Sequence, residues 1–187
     1  MCTRLALVSL CLYALGGLAW GTAHSAEALV ANGGFEQGLA APWGTGLYSE
    51  GRPGWWNSGS CTSTVEIDER TVIEGLASLH IVSPSPRAAQ VYGTIAQRIR
   101  IEPNRPYRIT AWARGLDLAS AGAVSLVVDE AWQVRPITLP AGSYSWTRLS
   151  GTFSLPAEYA DIRILSEDAG EAWLDDVQVV PLESLIR

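Results

Sequence analysis

Along Tyr107–Arg114 two kinds of residue alternate, with Tyr107, Ile109, Ala111 and Ala113 in one set and Arg108, Thr110, Trp112 and Arg114 in the other. That is the pattern of a strand burying one face, and it leaves Trp112 among polar neighbours on the wetted side. In Tyr92–Arg100, Ile95 and Ile99 mark the inward face and take Gln97 with them as a buried amide, so Tyr92, Thr94, Ala96, Arg98 and Arg100 face outward. Flat aromatic surfaces beside fixed hydrogen-bond donors match the C–H patches and hydroxyls of sugars. Trp112, Arg114, Tyr92, Arg98, Asp129 and Trp132 are therefore the candidate ligand residues. Trp112 and a neighbouring aromatic would stack while Arg114, Arg98 and Asp129 orient hydroxyls, and Trp43 and Tyr48 are candidates for the rim. Phe35, Trp146, Phe153 and one of Trp55 and Trp56 are expected in the core.

Other chemistries find little support. Glycoside cleavage needs two carboxylates across a cleft, but adjacent residues on a strand point to opposite faces, so neither Asp129-Glu130 nor Glu167-Asp168 makes a pair by itself. There is no Gly-x-Ser-x-Gly elbow for a nucleophilic serine. The 13 positive residues are all Arg, and the absence of Lys removes Schiff-base chemistry and a Walker-type phosphate loop. With 19 acidic residues the formal charge is −6, an unpromising balance for nucleic acid or anionic membrane surfaces. A third class, a structural or adhesive module contacting an envelope protein, would be marked by an apolar patch instead of a stacked aromatic row.

The elements that must carry these residues are strands. A singly positive start, the apolar stretch Leu5–Leu18 and the small residues Thr22–Ala28 form the three-part pattern of a secretory signal, with cleavage expected after Ser25 or Ala28. Export to periplasm or medium is thus expected, and of the three cysteines only Cys61 would remain, without an intramolecular partner. Beyond the signal, Ala28–Asn32, Thr64–Asp68, Ser78–Ser83, Val91–Ile101, Tyr107–Arg114, Ala123–Asp129, Pro136–Leu139, Trp146–Leu155, Asp161–Leu165 and Ala172–Val180 read as strands separated by Pro and Gly turns. Glu36–Gly59 and Leu116–Gly122 read as irregular. Many evenly spaced strands and no sustained helical stripe predict an all-β fold, one antiparallel sandwich of the jelly-roll kind. The predicted layout is a signal over 1–28, the sandwich over 29–181 and a tail over 182–187.

Five segments carry a family resemblance. Asn32-Gly33-Gly34-Phe35-Glu36-Gln37-Gly38, Gly75-Leu76-Ala77-Ser78-Leu79-His80-Ile81, Tyr107–Arg114, Trp146–Phe153 and Trp173-Leu174-Asp175-Asp176-Val177 appear in this order. Together they resemble the galactose-binding-domain-like carbohydrate-binding modules of families four, nine and twenty-two. The resemblance implies a jelly roll, non-catalytic glycan binding on a sheet face or at loop tips, and burial of Trp146 and Trp173. It also implies a structural Ca²⁺ held by the Gly34 carbonyl, the Glu36 and Asp175 carboxylates and a carbonyl near Leu76. On the residues alone, Asp175 shares the parity of Val177 and Val179 and is expected to point inward, where a carboxylate needs a cation or hydrogen-bond donors. Glu36 and Asp175 satisfied by Arg or backbone donors is the alternative, and His80 with Cys61, the one His and one Cys beyond the expected signal, cannot build a zinc site.

Overall fold

Alternating apolar residues build two facing sheets. The computed structural model describes residues 28–39, 42–44 and 54–182; the expected signal segment and Tyr48 lie outside the described residues. The strands are β1 (Trp56–Ser58), β2 (Thr64–Asp68), β3 (Ser78–Ser83), β4 (Tyr92–Arg100), β5 (Tyr107–Leu118), β6 (Val124–Val127), β7 (Ile137–Thr138), β8 (Gly142–Phe153), β9 (Tyr159–Ser166) and β10 (Gly170–Pro181). The first sheet has the order β1-β4-β9-β6-β7 and the second β2-β3-β10-β5-β8, with every pairing antiparallel. No helix among the described residues is long and apolar enough to cross a membrane.

The inner faces meet through Ile95, Ile99, Leu126 and Ile164 on one side and Leu79, Ile81, Ile109, Ala111, Leu174 and Val179 on the other, all buried. Gln97 points inward as expected, donating to the Ala31 carbonyl and accepting from its N–H, both at 2.8 Å. The N-terminal segment is thereby fixed to the sandwich, but Ala28–Asn32 forms bends and turns and no strand. Further departures are β1, short and at a sheet edge inside a stretch expected to be irregular, β5, which continues to Leu118, and β8, which starts at Gly142 and not at Trp146.

The Asn32–Gly38 motif is a folded turn. Asn32 and Phe35 take left-handed backbone with φ of 51° and 58°. The Asn32 side chain closes the turn, donating to the Gly38 carbonyl at 3.0 Å and accepting from Gln37 N–H at 3.0 Å. Phe35 stacks on Trp43 with ring centres 5.4 Å apart, and the Trp43 indole N–H donates to the Asn32 carbonyl at 2.9 Å. Trp43 is wholly buried. Its expected place on a ligand rim is therefore corrected: it fills the core end of the motif.

Candidate functional site

Register places the outward residues of the first sheet in rows. Thr94 of β4 lies opposite Leu165 of β9, which lies opposite Ser125 of β6; Ala96, Arg163 and Val127 form the next row, and Arg98 faces Asp161. Outward residues of an uncovered sheet would be wet, yet Thr94, Ser125, Val127, Arg163 and Leu165 are all between 0% and 4% exposed.

What overlies them includes the segment between β6 and β7, a strap from Asp129 to Pro136. It leaves β6, passes β9 and reaches β4. Trp132 packs edge-to-face on Tyr92 at 4.9 Å, and the Arg163 guanidinium lies 4.4 Å from its ring centre. Glu130 pairs with Arg98 at 2.8 Å, and Arg135 pairs with Glu167. Asp129 shapes the turn by accepting the Val134 N–H at 2.7 Å and the Gln133 N–H at 3.2 Å. Trp132 itself has φ 61°, a conformation that costs a bulky residue roughly 1–3 kcal/mol and persists only where the surroundings impose it.

Trp56 extends the aromatic row, its ring 5.6 Å from that of Tyr92 and 45% of it exposed. Two grooves flank the strap. One of about 380 Å³ is lined by Gln90, Tyr92, Glu130, Trp132 and Glu167 among others, and one of about 330 Å³ by Arg98, Asp129, Pro156, Glu158 and Tyr159 among others. Several charges here are paired. Arg98 bridges Asp161 at 2.9 Å and Glu130, and the Asp161 hydrogen bond raises its pKa above the usual guanidinium range. Burial pulls Arg163 downward against the attraction of Asp161, and its Nε finds no partner among the described residues.

The candidate ligand residues do not form one site. Trp112 is half-buried on the outer face of the second sheet, as alternation predicts, opposite Asp175 and Arg148. Arg114 is beside it, 4.9 Å from the Trp173 ring. Tyr92, Arg98, Asp129 and Trp132 belong to the first sheet and its strap, on the far side of the core. The expected cooperation of Trp112 and Arg114 with Arg98 and Asp129 is thus corrected, because alternation tells inside from outside but not one sheet from the other. Arg114 stacks on Trp173, which also stacks on His80 at 4.2 Å and donates to Asp68 at 2.8 Å. His80 sits 3.1 Å from both Glu66 and Glu171. This ladder is a cross-strand clamp on β2, β3, β10 and β5.

Sequence reading missed Trp56 and Arg163. The alternation of Ile162 and Ile164 turns Arg163 outward and was a usable signal; nothing in Trp55-Trp56 marks which ring is outside. Trp55 turns toward Ser63, donating to its hydroxyl at 3.0 Å. Trp146, expected in the core, is only half-buried on the edge strand β8.

Glu36 of the N-terminal motif and Asp175 of β10 meet at Gly34. A β-carbon placed there would lie 3.6 Å from Asp175 Oδ1 and 3.9 Å from Glu36 Oε1. Asp175 does not point inward: a bulge at Asp176, φ 48°, breaks the parity with Val177, so Asp175 shares the outer face with Trp112 and is buried beneath the 73–76 segment. Burial pushes its carboxyl upward, opposed by N–H groups of Glu74, Ile73 and Asp176. Glu36 accepts the Leu76 N–H at 3.0 and 3.1 Å. Backbone N–H groups thus satisfy both carboxylates in this structure, the alternative expected from the residues alone; two converging carboxylates also suit a hard dication in charge and donor type. Among the described residues no group of three or more His, Cys, Asp or Glu gathers to hold a metal.

No protein-family model matches the sequence, and no curated protein matches it. Solved structures do match in fold. TmCBM61, a family 61 carbohydrate-binding module solved with β-1,4-galactotriose, aligns with TM-score 0.58 and 13% identity over 84% of this chain and 100% of that one. A family 4 module aligns with TM-score 0.53 and 15% identity over 81% of this chain and 99% of that one. The enzymatically active domain of tailspike protein 4 from bacteriophage CBA120 aligns with TM-score 0.55 and 17% identity, covering 83% of this chain and 21% of that one. The architecture shared with these modules is an antiparallel jelly-roll sandwich.

Proposed function

We propose that this protein is an exported module that binds glycan without cleaving it, and that the site is the strapped outer face of the first sheet. The observation that carries the reading is the aromatic row Trp56–Tyr92–Trp132 beside grooves lined by Gln90, Glu130, Glu167 and Arg98. Rings of this kind stack on sugar C–H faces while the polar side chains exchange hydrogen bonds with hydroxyls. Arg98 holds Glu130 and Arg135 holds Glu167, which fixes both carboxylates as hydrogen-bond acceptors at the groove. The same matching of charge favours an uncharged sugar. The match to modules such as TmCBM61 supports the reading, and the half-buried Trp112 face is left outside the site.

We propose in addition that Ca²⁺ joins the N-terminal turn to β10 through the Glu36 and Asp175 carboxylates and main-chain oxygens at Gly34 and near Leu76. When bound, the ion would neutralise two carboxylates that otherwise repel. A glycan-array screen tests the function: at least one sugar class is retained, and Tyr92→Ala abolishes retention. Silence across the array, or full retention by Tyr92→Ala, would refute it.

A further inference from the structure

We propose that the strap makes this face a receptor for the end of a glycan chain, holding a terminal sugar in the groove that Tyr92 and Trp132 line together, and not a track for the middle of a polysaccharide; this rests on the glycan reading above. A chain lying along a sheet needs a continuous uncovered trough. Here the central outward residues of β4, β9 and β6 are at most 5% exposed. The strap crosses them and is fastened on both sides, to β4 through Glu130–Arg98 and Trp132–Tyr92, and to β9 and its following turn through Trp132–Arg163 and Arg135–Glu167.

The two grooves consequently lie apart, sharing only Glu130 and Ala131. At about 380 Å³ the Tyr92–Trp132 groove is near the lower end of small-molecule sites, room for about one or two sugar rings. Its lining also suits an end. A terminal sugar carries a hydroxyl that an internal one has given up to its glycosidic bond, and Gln90, Glu130 and Glu167 present acceptors for it. The second groove, with Tyr159 47% exposed beside Arg98, offers a landing for an aglycone or branch on the other side of Glu130 and Ala131.

The test is titration of the whole protein with β-1,4-linked glucose, xylose, mannose and galactose ladders from mono- to hexasaccharide, their parent polysaccharides, and oligosaccharides capped by 2-aminobenzamide at the reducing end or a benzylidene acetal at the other. Affinity is expected to level off by the trisaccharide, to rise less than ~3-fold from there to the hexasaccharide, and to fall ~10-fold or more with one of the two caps. A climb of ~10-fold or more to the hexasaccharide with both caps without effect would overturn the end-binding proposal while leaving glycan binding intact. Silence on every ladder and on the array would overturn both.

Discussion

The guanidinium of Arg163 lies 4.4 Å from the ring centre of Trp132, at the floor of the strapped face and 4% exposed. Its Nη1 donates to Thr94 Oγ1 at 3.3 Å while Nε is left without a partner among the described residues. A desolvated cation beneath an indole contributes about 1–2 kcal/mol, comparable to the cost of the left-handed backbone at Trp132. Arg163→Met keeps the length, removes the charge and eliminates the unsatisfied buried N–H. Stability is expected to change by less than ~2 kcal/mol, while tryptophan emission shifts to the red and glycan affinity drops ~10-fold. Unchanged emission and affinity would show that the cation does not hold the indole.

Gly33 has no room for a side chain, since a β-carbon there would overlap the Val177 carbonyl oxygen, whose own N–H donates to Gly33 O at 3.0 Å. Gly33→Ala is expected to cost about 3 kcal/mol. At Gly34 the nearest atom to such a carbon is 3.6 Å away, so Gly34→Ala should cost under ~1 kcal/mol. Denaturant unfolding of the two variants checks the contrast, and equal losses would contradict it.

Chelation tests the metal. With excess EDTA the melting temperature is expected to fall by several degrees and to return on adding millimolar Ca²⁺, as binding to the folded state alone requires. Glu36→Gln should abolish the difference. Identical melting curves with chelator and with calcium would remove the ion from the account.

Acid should destabilise through two carboxylates. Burial acts to raise Asp68, but N–H donors from Arg70, Trp173 and Thr71 outweigh it and hold its carboxyl far below the usual range. Asp168 is likewise lowered: burial opposes ionisation, and Ser120, Ala169 and Arg87 donors prevail. A carboxyl depressed in the folded state stabilises above its unfolded pKa of ~4, and that stability is lost as pH falls below it. Melting temperature against pH should therefore drop below pH ~4, less steeply in Asp68→Asn and Asp168→Asn. An acid limb unaltered by both substitutions would contradict this.

Much of the fold was legible in residue order because its signals are local. The bounds of β2 and β3 follow from alternation next to Gly and Pro, and Trp112 faces water as its neighbours predicted. What failed depended on long-range geometry. Parity could not say that Trp112 and Tyr92 lie on different sheets, nor that a bulge at Asp176 turns Asp175 over. Trp43 sits in a glycine-rich stretch that looks like surface, and only its stacking on Phe35 takes it inside. Alternation marks Tyr92 as outward and residue type alone marks Trp132; the strap that joins them to Arg163 is a tertiary event.

Isothermal titration of Trp132→Ala and Trp112→Ala side by side, against the sugar retained on the array, tests the placement of the site most directly. The account predicts that Trp132→Ala loses ~30-fold or more in affinity and that Trp112→Ala stays within ~2-fold of the parent. Loss confined to Trp112→Ala would place the ligand on the opposite sheet and contradict it.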